Sequence, residues 1–126
     1  MGPLVSPRTD LAAILATNAP SGVQVYDHPA DVVKVPALIV QNGDPMIELD
    51  TMGGDRFQWN LEIVAATYRI NSRSGVAWCE DISRDVASWL NGSGFWFREV
   101  SQPGTDEINQ IDAITVTMTI EAKMRT

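Results

Sequence analysis

The chain has 126 residues, 44% of them hydrophobic, enough to enclose one core and a common length for a single domain spanning residues 1–126. Its net charge of −7 includes only nine basic residues, scattered singly, which excludes the Lys/Arg stripe of a tight nucleic-acid binder. No apolar run of about 18 residues is present to span a membrane, and the lone cysteine, Cys79, excludes an internal disulfide and fits a cytoplasmic origin.

Residues Met1 to Asp10 lack the charged and apolar regions of a secretory signal. Met1 to Ser6 fits the loose N-myristoylation pattern, but Ser6-Pro7 reads better as an N-cap and first-turn proline. That pair opens a helix through Leu11, Ile14 and Leu15, which Ala19-Pro20-Ser21-Gly22 ends. Val23–Tyr26 is a short strand, and Asp27–Val35, broken by Pro29, is a loop. Pro36–Gln41 is continuously apolar, as in a strand buried on both faces. Asn42-Gly43-Asp44-Pro45 carries turn chemistry, so Met46–Leu49 reads as a separate brief strand. Asp50–Asp55 follows as a loop, made flexible by Gly53 and Gly54.

From Arg56 to Ile70 the pattern has a period of two. Phe57, Trp59, Leu61, Ile63 and Ala65 alternate with Arg56, Gln58, Asn60, Glu62 and Val64, marking a strand with one buried face. At ~3.3 Å per residue such a strand would run roughly 50 Å, so it is expected to bend, bulge or project beyond its sheet. Between Ser74 and Leu90, Cys79, Ile82, Val86 and Trp89 recur at near-helical spacing, with Trp78 and Leu90 widening the stripe. Glu80 and Asp81 are expected near the helix start, where the dipole favours anions, and Asn91-Gly92 stops the helix. Phe95–Val100 is a strand with Phe95 and Phe97 on one face and Trp96 and Arg98 on the other, while Tyr68 lies opposite the Trp59 face. Ser101–Asn109 reads as a polar loop around Pro103-Gly104. Ile111–Lys123 is a second long strand, with Ile114, Val116, Met118, Ile120 and Ala122 buried and Thr115, Thr117, Thr119 and Glu121 wet. The short connections predict an α+β fold, a mostly antiparallel twisted sheet with two helices packed on one face.

No catalytic set emerges, and neither a cofactor site nor a metal site is expected. His28 with Asp27 and Asp31 occupies one short loop, a solvated cluster rather than a closed ligand set. No serine sits in a G-x-S-x-G elbow, and Cys79 lies on the apolar stripe of a helix. Asp81 and Asp85 share a helix face beside Arg84, the usual arrangement of an exposed surface. Gly53-Gly54 lacks the lysine of a phosphate loop, and Asn91-Gly92-Ser93 is a sequon only in form.

The run P-A-L-I-V-Q-N-G-D-P-M-I-E-L from Pro36 to Leu49 resembles a segment of the small tail-terminator proteins of long-tailed bacteriophages, particularly those of actinobacterial hosts. The similarity in element order covers Ser6 to Lys123, with Met46 standing where a large aromatic is often found. The resemblance implies a structural protein of the virion, assembled in the host cytoplasm, that forms a ring of six on the finished tail tube. Its implied partners are itself, the major tail tube protein and the head-closure or connector protein. DNA would pass through without specific binding, and no cofactor or reaction is implied. A head-closure or connector-adaptor protein is the nearest alternative, and a small cytoplasmic enzyme or ligand-binding domain the alternative of another class. Within this frame Asp50, Thr51, Met52, Gly53, Gly54, Asp55 and Arg56 form the candidate partner-contact loop. Trp96 and Arg98 are the candidate subunit interface, because both residue types are enriched there. Asp44, Glu48, Asp50 and Asp55 are candidates to line a channel whose like charge repels DNA.

Overall fold

A computed structural model of the chain describes residues 6–29, 33–49, 56–68, 72–108 and 111–125. The elements in order are α1 (Pro7–Asn18), β1 (Gln24–Tyr26), β2 (Ala37–Leu49), β3 (Arg56–Tyr68), α2 (Ser72–Trp89), β4 (Phe95–Val100), β5 (Gly104–Ile108) and β6 (Ile111–Arg125). They form an α+β fold around one six-stranded sheet of order β1-β2-β3-β6-β4, with β5 also paired to β6.

Local chemistry starts and stops the helices as expected. Ser6 Oγ accepts a hydrogen bond from the Arg8 amide at 3.2 Å, and Pro7 takes a first-turn position that needs no donor. At the far end of α2, Gly92 adopts a φ of 78°, which glycine takes without the strain a Cβ would add, and the Leu90 carbonyl accepts from Ser93. One expectation fails here. Because α2 begins at Ser72, Glu80 and Asp81 lie in its middle, and its first turn carries no acidic residue.

Both helices pack on the same face of the sheet. Leu11 and Leu15 of α1 and Cys79, Ile82 and Val86 of α2 enclose Leu38, Val40, Leu61, Ile63, Met118 and Ile120. Burying each such aliphatic side chain stabilises the fold by roughly 1.5–3 kcal/mol. Phe95, Phe97, Trp59 and Trp78 pack against the rim of this core. A smaller cluster lies on the opposite face, where Val33 and Val35 cover Ala37, Ile39 and Ala66 beside Tyr26. β2 is therefore buried on both faces near its start, as its continuous apolar run implies.

Four features differ from the sequence reading. Asn42-Gly43-Asp44-Pro45 does not reverse the chain: β2 runs on through it, Asn42 opposing Leu61 and Ile47 opposing Trp59. Gly43–Met46 is thus a bulge facing Asn60 alone, and glycine suits its start because a Cβ on Gly43 would press on Asn60 Cβ at 3.1 Å. β1 pairs with β2 in parallel, because the crossover through Val33 and Val35 returns the chain to the same end. Residues read as a polar loop contain β5, whose five positions pair with β6 from Gly104–Thr115 to Ile108–Ile111. Finally, β3 does not project beyond its support, since β6 pairs with every residue from Arg56 to Tyr68. Arg69 and Ile70, assigned to that strand by pattern, lie outside the described residues.

β4 and β5 are two lengths of one edge. Each pairs with β6, and Ser101 bridges the break by donating its amide to the Thr117 carbonyl at 2.9 Å while its Oγ accepts from the Thr117 amide. Pro103, which has no N–H to pair, marks the interruption.

Candidate functional site

With both helices on one side, no described helix covers the other face of β3, β6 and β4. Alternation places Gln58, Asn60 and Glu62 of β3 and Thr117, Thr119 and Glu121 of β6 on it, opposite the buried Leu61, Ile63, Met118 and Ile120. On β4, Trp96 opposes Glu121 and Glu99 opposes Thr119, so both belong to this helix-free face.

Its side chains form a connected network. Glu121, only 7% exposed, accepts at one oxygen from Arg98 Nη1 at 2.6 Å and Gln58 Nε2 at 2.8 Å. Gln58 also donates to Asn60 Oδ1, and Asn60 Nδ2 donates to Glu48 Oε1 and the Pro45 carbonyl, both at 2.8 Å. The β2 bulge is thereby tied to the face. Gln41 Nε2 adds a bond to Glu62 Oε1 at 2.9 Å. These groups border a shallow depression of about 250 Å³. The Glu121 hydrogen bond and charge raise the Arg98 pKa further above its ordinary value, with Glu99 and Glu48 adding to the effect.

The sequence-derived candidates separate into three groups. Trp96 is 56% exposed at the β4 edge, as an interface anchor requires. Arg98 shares its face but is committed to Glu121 within the chain, from the extra position of a bulge between Phe97–Ile120 and Glu99–Thr119. Asp44 and Glu48 flank the depression, Glu48 already holding Asn60. Asp50, Thr51, Met52, Gly53, Gly54 and Asp55 lie outside the described residues, and Arg56 is described only as the first residue of β3. Glu121, Gln58 and Asn60 were not among the candidates. They carry a polar alternation in the sequence, but only the β3–β6 register joins Gln58 to Glu121, residues 63 positions apart.

The other groups with possible chemistry are occupied or buried. His28 Nδ1 lies 2.6 Å from Asp27 Oδ1, and this hydrogen bond holds the Asp27 carboxyl below its ordinary value. Arg84 pairs with Asp81 on the exposed side of α2 at 2.6 Å. Cys79 is fully buried, and desolvation pushes its thiol up to about 11, away from the nucleophilic thiolate. Among the described residues, no three His, Cys, Asp or Glu side chains are placed to hold a metal ion, and no helix is long and apolar enough to cross a membrane. The chain matches no protein-family model, and comparison with curated proteins finds no match.

Proposed function

We propose that this chain is a phage tail terminator, a ring-forming structural protein that caps the completed tail tube and joins it to the head connector. The observation that supports this reading most is the one-sided architecture: both helices cover one sheet face, and the other, over β3, β6 and β4, is polar among the described residues and bordered by exposed Trp96. A closed ring needs two different complementary surfaces on each subunit, and an uncovered face ending in an aromatic residue supplies one. Direct strand addition is poorly served, because β1 has three residues and the opposite edge is bulged at Arg98 and broken at Pro103. Subunits would therefore meet through side chains, six to a ring, between the tail tube protein and the head connector. Acidic groups such as Asp44 and Glu48 suit a passage that DNA crosses without sticking.

Electron microscopy of tails tests the reading. Wild-type tails should carry a density ring at the head-proximal end with the subunit count of the tube. Trp96→Ala should abolish that ring or give overlong tails while the isolated domain still folds. A protein found on filled heads but never on tails is instead a neck adaptor, and one absent from virions defeats the structural reading altogether.

A further inference from the structure

We infer that the two ends of the helix-free face are mates, Lys34 of one copy seating against Glu99 and Trp96 of the next. This rests on the ring reading above and names the contact that would close the ring.

Lys34 lies in the segment between β1 and β2, tied to the edge strand β1 through Tyr26. Its neighbours Val33 and Val35 pack onto the helix-free face beside Tyr26, and its amide donates to Tyr26 Oη at 3.0 Å. Lys34 is exposed, and among the described residues no carboxylate pairs with it. The opposite edge of the same face presents Trp96 and Glu99, both exposed, with Glu121 and Glu48 close behind. Among the described side chains there, carboxylates outnumber the guanidinium of Arg98, which favours an incoming cation. An exposed indole favours one too.

The register sets the two ends at similar heights. Glu99 lies in the row Glu99–Thr119–Glu62–Gln41, while Tyr26 opposes Ile39, two residues from Gln41 along β2. That offset is about 7 Å at the usual rise of a strand, within the span of a flexible lysine stem. β1 runs with β2 and β4 runs against β6, so the two edge strands point in opposite directions. Copies related by rotation about an axis along the strands keep every helix-free face on the same side. Each Lys34 edge then meets a Glu99 edge. A two-fold arrangement would set Lys34 against Lys34 or Glu99 against Glu99, which like charge opposes. One chain thus carries both halves of the contact, and a second copy is the partner that fits.

Charge exchange tests this. Self-association is measured by native mass spectrometry and sedimentation, free and on isolated tail tubes, for wild type, Lys34→Glu, Glu99→Lys and the double variant. Both positions are exposed, so circular dichroism should report unchanged folds. Each single reversal should weaken association by about tenfold or more, and the double exchange should restore it to within about threefold. A double variant no better than the worse single variant, or single variants that assemble like wild type, overturns the contact while leaving the ring intact. A wild type that never self-associates, even on tubes, overturns the ring and the contact together. Cysteine pairing gives a second readout, since Cys79 is buried: Lys34→Cys and Glu99→Cys chains should cross-link when mixed under mild oxidation, and neither alone. Cross-linking within either pure variant but not in the mixture refutes the head-to-tail arrangement.

Discussion

Arg98 reaches Glu121 at 2.6 Å from the surplus position of the β4 bulge, which turns a residue of a ragged edge toward the centre of the open face. The two ends of this pair differ in environment, the Arg98 side chain being 59% exposed and that of Glu121 9%. The energetic weight therefore lies with the carboxylate, which also satisfies Gln58.

Glu121→Ala should cost about 1–3 kcal/mol, because it removes a nearly buried carboxylate that accepts from both Arg98 and Gln58, while Gln58 keeps its bond to Asn60. Arg98→Ala should cost clearly less than Glu121→Ala, because solvent screens the exposed guanidinium. Urea unfolding of both variants at neutral pH checks the asymmetry, and equal losses would contradict it.

Gly75 of α2 packs directly against β6, where an added Cβ would collide with Ile114 Cδ1. Replacing a helical glycine by alanine normally gains about 1 kcal/mol. Here Ile114 is only 2% exposed and has little room to yield, so Gly75→Ala should destabilise by about 1–3 kcal/mol. Adding Ile114→Val removes the colliding methyl and should recover most of that loss in the same denaturation assay. If Gly75→Ala alone is stabilising, the helix–sheet contact is looser than described.

How far these relationships could be read from the chain depended on their range. Ser6-Pro7, the stripe from Cys79 to Trp89, and the alternations of β3 and β6 are local signals of burial, and each led to the right element. β5 gave no such signal. It is an edge strand whose exposed Asp106 and Glu107 bury nothing, so composition alone resembles a loop. Asn42-Gly43-Asp44-Pro45 has the same chemistry in a bulge as in a turn, and Asn60 across the pair decides between them. Trp96 was legible by alternation, whereas the partnership of Arg98 with Glu121 needed the β4–β6 register.

The Cys79 thiol carries a pH dependence. Its folded value, about 11, lies above its ordinary value of 9.0, so the folded state retains a proton that the unfolded chain releases first. The sign follows: this contribution is fully present below about pH 9 and is lost as pH rises toward 11. Cys79→Ala should flatten the decline in stability across that interval. Thiol titration with a disulfide reagent at pH 8 should be slow for the native protein and fast in urea. Rapid modification of the native protein would show the site to be open.

Duplex DNA should not bind tightly even at low salt, since the chain carries a net charge of −7 and the open face holds Glu48, Glu62, Glu99 and Glu121. A gel-shift series between low and moderate ionic strength measures this. Retardation by wild-type protein that weakens steeply with added salt would contradict the repelling passage.

The pairing of β3 with β6 also bears on how the chain finds its fold. β2–β3 and β5–β6 each join neighbours in sequence, but the seam between them runs from Arg56–Arg125 to Tyr68–Ala113. Closing it requires the intervening chain, including α2, to loop back before the shared core is sealed, and the entropy of that closure comes before its reward. Kinetics should accordingly resemble those of sheet proteins rich in distant contacts, on the order of milliseconds to seconds, and not those of helical bundles. Substitutions along this seam, such as Leu61→Ala or Ile120→Val, would then slow refolding when the seam forms at the barrier and hasten unfolding when it forms afterwards.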